Sequence, residues 1–147
     1  MQLASIIASI ATAVGALLLA WQVWVARHAL KAQTRTSELQ VFTTMNMKFL
    51  ELISEFKEHI NEPRISEADL DPVERRAMDR WFYLASLEYV LHKEGVISAS
   101  LGDHWIKGIR SAAKKNVFAE RWNSTASKFT LDEDFRKFFE MESKKSQ

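Results

Sequence analysis

The chain opens on an uninterrupted apolar run and then changes rhythm. Residues 3–26, 24 positions, carry no charged side chain. At about 1.5 Å per residue such a run makes a helix of roughly 36 Å, enough to cross a bilayer core of about 30 Å with some tilt. Leu17, Leu18 and Leu19 lie within it, and Trp21 and Trp24 follow where an aromatic belt would meet the headgroups. Arg27, His28, Lys31 and Arg35 come next, with no acid before Glu38. Only Met1 and Gln2 precede the run. Basic residues on the C-terminal side predict an N-terminus outside and the remaining chain in the cytoplasm of a bacterial inner membrane. A cleaved signal peptide would carry its basic residues ahead of the apolar stretch, the reverse of the order here.

Small residues recur along that run. Ala4, Ala8, Thr12, Ala16 and Ala20 are spaced by four, with Ser5, Ser9, Ala13 and Gly15 close to them. Such spacing lets helices approach closely and predicts self-association in the membrane as a ring or bundle. Ser5, Ser9, Thr12 and Gln22 are candidates for lining a narrow pore or bonding across helices, although a hydroxyl also bonds its own helix backbone.

After the basic segment the period becomes helical. Leu39, Phe42, Met45, Phe49, Ile53, Phe56 and Ile60 step by three and four, tracing one apolar stripe that Asn61-Glu62-Pro63 should stop. Residues 61–71 read as an acidic loop. Asp71-Pro72-Val73-Glu74 is a helix start with a capping residue, a first-turn proline and the acid of a capping box. Val73, Ala77, Trp81, Leu84 and Leu91 trace the buried stripe beyond it, with Met78, Phe82, Ala85 and Tyr89 alongside, and Gly95 ends the helix. Ser98 caps a further helix carrying Leu101, Trp105, Ile109 and Ala112, in which Gly102 and Gly108 would permit close approach. Val117, Phe118 and Trp122 mark a short helix. Thr130-Leu131-Asp132-Glu133 reads as a second capping box, followed by Phe135, Phe138, Phe139 and Glu142. No strand-like alternation stands out.

Composition narrows the class. In 147 residues there are 4 Gly and 2 Pro, too few for a turn-rich β-sandwich. The expectation is an all-α protein: a short extracytoplasmic N-terminus (1–2), a transmembrane helix (3–26), a basic juxtamembrane segment (27–36), a cytoplasmic helical bundle of four to five helices (37–142) and a frayed tail (143–147). The absence of Cys removes disulfides, thiolate metal sites and thiol nucleophiles. The 20 Lys and Arg against 19 Asp and Glu exclude a strongly basic nucleic-acid binder at the level of the whole chain.

Candidate chemistry is sparse. Glu88 is the anomaly, a carboxylate four residues after Leu84 inside an apolar stripe. A carboxylate there needs a partner or a raised pKa. Arg110 or Arg80 could pair with it, His92 follows at i+4, and the preferred reading is one buried ion pair that fixes helix register, with Arg110 as a buried polar candidate, rather than a ligand or gating site. His28, His59, His92 and His104 show no zinc spacing, and no GxSxG, P-loop or GxGxxG occurs, so neither catalysis, cofactor nor metal is expected. Lys107, Arg110, Lys114, Lys115 and Arg121, interleaved with Trp105 and Trp122, form a run that could stack single-stranded RNA, touch anionic headgroups or be an ordinary solvated face. Lys107, Lys114, Lys115 and Arg121 are thus a candidate patch for an anionic partner. With Arg27, Lys31 and Arg35 set aside, 17 basic residues face 19 acidic ones from Ser37 onward, so any attraction is local, and direct nucleic-acid binding is not the expectation.

Three segments, Trp21-Gln22-Val23-Trp24-Val25-Ala26-Arg27, Trp81-Phe82-Tyr83-Leu84-Ala85-Ser86-Leu87-Glu88-Tyr89-Val90 and Lys93-Glu94-Gly95-Val96-Ile97, carry a resemblance. The layout resembles a loosely defined bacterial family of small single-pass proteins of unknown function. It is similar in plan to the membrane accessory proteins of type VI-B CRISPR systems, an anchor helix and a cytoplasmic helical domain that assemble into a ring-shaped pore. That likeness implies homo-oligomers in membrane lipid and antiviral depolarisation triggered by an RNA-guided nuclease partner. The helical RNases compared with that domain carry Arg, four to six residues, then His, and the Arg80-to-His92 interval does not match this spacing. A passive membrane-tethered adaptor and a membrane-held RNA-binding effector are the alternative readings.

Overall fold

A computed structural model describes residues 2–56, 60, 62 and 65–145; of residues 2–14 and 16 only the backbone is described. The described residues form five α-helices with no strand: α1 (Gln2–Ile53), α2 (Pro72–Lys93), α3 (Ala99–Ala113), α4 (Asn116–Thr125) and α5 (Glu133–Lys144). Short 3-10 turns at Glu67–Asp69 and Ala126–Lys128 interrupt the connections. The chain divides into two units, 1–39 and 40–147. The all-α expectation holds, and the five helical segments of the second unit fall within the expected number.

In the first unit, the charge-free run and the basic segment lie on helix. Among the described residues no helix is long and apolar enough to cross a membrane. The side chains of Ala4, Ser5, Ala8, Ser9, Thr12 and Ala16 lie outside the described residues, and Ala20 is exposed.

The second unit is built by local signals that then bury their apolar faces. Asp71 caps α2: its carboxylate accepts from the Val73 and Glu74 backbone N–H groups, while Glu74 accepts from the Asp71 N–H at 3.0 Å. This reciprocal box satisfies donors that the first helical turn leaves orphaned. At the other end Gly95 takes φ +69°, a left-handed conformation that a side chain would penalise. The Gly95 N–H then bonds the His92 carbonyl and the Val96 N–H bonds that of Leu91, closing a Schellman motif.

Other boundaries differ from expectation. The α1 stripe stops at Ile53, seven residues early, where the next bonds tighten to Glu55 N–H on Leu52 and Phe56 N–H on Ile53. Phe56 lies against Phe118, while Leu39 and Ile53 are exposed and Leu52 is buried in their stead. Asn61 and Pro63 of the expected stop, and His59, lie outside the described residues. The second capping box does not form as read: Asp132, not Thr130, caps α5 by accepting from the Phe135 N–H at 2.9 Å. Ser98 does occupy the N-cap of α3, with its hydroxyl 3.1 Å from that of Ser100. The expected frayed tail begins as helix, since α5 continues to Lys144 and Lys145 bonds Glu142.

The core is aromatic. Phe82 from α2 meets Trp122 of α4 at 5.1 Å and Phe139 of α5 at 5.4 Å, and Trp81 meets Phe118 at 4.8 Å, all edge-on. The positive ring edge meeting the negative ring face adds about 0.5–1.5 kcal/mol per pair to the burial itself. Ile106 and Ala113 of α3 are also buried, whereas Val73, expected inside, is exposed.

Candidate functional site

Helices α1, α2 and α3 line a partly open cavity of about 120 Å³ in the second unit. Its walls include Asn46 and Phe49 from α1, Trp81 and Glu88 from α2, and Trp105 and Gly108 from α3. The register of each helix places them there. Glu88 sits one turn beyond Leu84 on the inward face of α2, and Gly108 lies one turn after His104, both of them exposed and both lining the cavity. The Trp105 indole N–H donates to the Asn46 side-chain carbonyl at 3.1 Å, and its ring stacks on Phe42 at 5.1 Å.

Glu88 is 5% exposed. Among the described residues no hydrogen-bond donor and no cation reaches its carboxyl. Burial away from water disfavours the charged form and pushes its pKa up to about 8. At neutral pH this acid therefore carries a proton, as a neutral hydrogen-bond donor in an aromatic cavity.

The expected partner of Glu88 is elsewhere. Arg110 is half-exposed, its Nε 3.9 Å from Glu142 and its guanidinium 5.6 Å over the Phe138 ring. Arg80 bonds Glu55. The expected register-fixing ion pair of Glu88 with Arg110 or Arg80 is thus corrected: Arg110 is exposed on α3 and turns to Glu142 and Phe138 of α5. Glu142 is a buried acid that does have cations, and the Lys145 ammonium holds its carboxyl below the usual range despite burial.

The candidate anionic-partner patch comes apart in the same way. Lys107 and Lys114 are exposed, and Lys115 is half-buried. Arg121 is spent internally: it grips Asp79 in a two-pronged bond at 2.8 and 2.7 Å and Glu67 at 2.7 Å, with 15% of its side chain exposed. Burial pushes the Glu67 carboxyl up, but its bonds from Arg121 and Ser124 outweigh that and hold it below the ordinary range. Trp105 and Trp122 are both buried, so neither offers a face on which a base could stack.

The expected membrane-interface residues share one unit and one helix. Trp21, Trp24, Arg27, Lys31 and Arg35 are all exposed. Trp21 stacks on Trp24 at 5.2 Å, and Trp24 lies 4.3 Å from the His28 ring. Arg35 bonds Glu38 at 2.8 Å. Leu17, Leu18, Leu19, Val23 and Val25 are also uncovered within the unit.

No known protein family matches this chain, and neither does any curated protein or solved structure.

Sequence reasoning missed Asn46, Asp79 and Glu67 as functional partners. Asn46 carried one usable signal, a polar residue beside Met45 and Phe49 in an apolar stripe. Asp79 and Glu67 carried none, because acids on a helix face and in an acidic loop look solvated until Arg121 arrives.

Proposed function

We propose that this protein is a membrane-anchored helical module that self-associates through residues 3–26 and opens or gates a pore when its cytoplasmic bundle is engaged. The observation that supports it most is the surface of the first unit. Leu17, Leu18 and Leu19 are 57–71% exposed, and Trp21 and Trp24 follow them with their rings stacked. Water would charge about 25 cal/mol for each Å² of that apolar surface, whereas lipid covers it without penalty. Arg27, Lys31 and Arg35 then stand where anionic headgroups of the inner leaflet attract basic side chains. A stripe of small residues at 4, 8, 12, 16 and 20 supplies the close-packing surface for self-association. The gating partner must bind the open assembly more tightly than the closed one. A role in antiviral defence follows from the resemblance in plan alone.

The experiment is reconstitution of the full chain into liposomes of phosphatidylethanolamine and phosphatidylglycerol loaded with a fluorescent ion reporter. The expected result is membrane association that survives alkaline carbonate, together with ion leakage. Association without leakage, and a strictly monomeric mass in detergent, would leave the passive tether and remove the pore. Extraction by carbonate would remove the anchor itself.

A further inference from the structure

The cavity beside Glu88 is a site that the proposed function leaves unused. We propose that it binds a small organic ammonium ion, with the Glu88 carboxylate as its counter-ion and Phe49, Trp81 and Trp105 as its walls. Three observations carry this. The acid is 5% exposed and has no cation or donor among the described residues, although it lines the cavity. An acid buried in this way is costly unless something completes it. The cavity's volume, about 120 Å³, is close to that of cavities that hold one small ring or a short chain. Three aromatic residues among eight lining residues are the surroundings in which organic cations are held, through attraction to ring electrons.

The polar groups present choose between charge types. An anionic ligand would gain from Glu88 at most one neutral O–H donor, whereas a cation gains a full opposite charge. The other polar lining groups are Asn46, whose carbonyl accepts from the Trp105 indole, and His104. An ammonium ion supplies the missing donor and the missing charge together. Its entry also fixes a proton balance. Burial holds the carboxyl protonated at pH 7 as long as no cation lies beside it. The arriving ammonium keeps its own protons, the carboxyl O–H bond breaks, and one proton leaves to solvent as the ion pair forms.

Gly108 forms part of the wall, and a Cβ placed there would meet nothing within 4 Å. A larger side chain on this wall therefore meets no clash at its Cβ.

The test uses the full chain in a non-ionic detergent, with n-butylammonium as probe and 1-butanol as its uncharged counterpart. Binding is followed by the chemical shift of the Trp105 indole N–H and by calorimetry in two buffers of different ionisation enthalpy. The expected result is at least ten-fold tighter binding of n-butylammonium than of 1-butanol at pH 7, with release of close to one proton. Glu88→Gln should abolish that preference and the proton release while the helical circular dichroism stays unchanged. Gly108→Leu should weaken both probes at least ten-fold. Equal binding of the two probes, or an n-butylammonium affinity that survives Glu88→Gln, would overturn the proposal. So would the failure of both probes to bind.

Discussion

The imidazole of His92 lies directly against the bare Cα of Gly102. A Cβ built on Gly102 would stand 2.2 Å from His92 Nδ1 and 2.8 Å from its Cγ. The α2–α3 contact therefore closes at a point where one helix has no side chain. His92 Nε2 is also 3.6 Å from Asp103 on the same helix as the glycine. Gly108, six residues along α3, has empty space where its Cβ would be.

These two glycines should respond with opposite sign to the same substitution. Gly102→Ala must displace the His92 ring and should cost about 1–3 kcal/mol, in the range of an overpacked core. Gly108→Ala meets no atom and should gain up to about 1 kcal/mol from helix propensity. Urea unfolding of the two variants checks this. The double variant Gly102→Ala with His92→Ala should recover most of the Gly102 loss, and failure to recover it would place the strain elsewhere.

Arg121 should be a stability residue rather than a binding residue. Its removal leaves Asp79 and Glu67 facing each other across α2 and the preceding turn without their cation. Breaking such a pair inside a protein costs about 3–5 kcal/mol, and the partial exposure of all three side chains reduces the expectation for Arg121→Met to about 2–3 kcal/mol. Arg121→Lys should not restore it, because one ammonium cannot reproduce the two-pronged contact with Asp79. Thermal unfolding at two salt concentrations reads the loss and its electrostatic share.

Glu88 should make the folded state less stable as pH rises. Its ordinary carboxyl pKa is 4.5 and its folded value is about 8. Below pH 4.5 the group is neutral in both states and costs nothing. Between 4.5 and 8 the folded chain holds a proton that the unfolded chain has released, so stability falls with rising pH. Above 8 the slope vanishes. Glu88→Gln should flatten this dependence, leaving stability near that of the parent at pH 4 and higher by about 1–4 kcal/mol at pH 8. Denaturant titrations at four pH values between 4 and 8 measure it. A parent chain whose stability does not decline over that range would contradict the burial of an unpartnered acid.

Self-association should reside in the small-residue stripe. Replacing Ala8, Thr12 and Ala16 together by Leu adds bulk on that stripe and should shift the detergent-solubilised mass toward monomer by ten-fold or more in dissociation constant. Lys107→Glu with Lys114→Glu, both on exposed positions of the second unit, should leave that mass unchanged.

The capping elements show why some of this protein is written locally. Asp71 and Glu74 close a ring with backbone groups no more than three residues away, and Gly95 supplies a backbone angle by itself. Such signals need no knowledge of the rest of the chain, which is why the ends of α2 and the all-helical class are legible from the amino acids alone. The α5 start is a near miss of the same kind, since Thr130 and Asp132 are both competent caps and only the path of the chain selects Asp132.

The sequence by itself determined helical class, the uncharged run at 3–26, the basic flank behind it and the position of an anomalous acid at 88. Tertiary structure alone decided which charges are spent and which stand alone. Arg121 finds Asp79 across 42 positions and Trp105 finds Asn46 across 59. Arg110 turns to Glu142 and leaves Glu88 facing a cavity. Periodicity states which face of a helix is apolar, but pairing between charges depends on how helices are rotated and shifted against one another, and that is set by the close fit of Phe82, Trp122 and Phe139 and by the bare surface at Gly102.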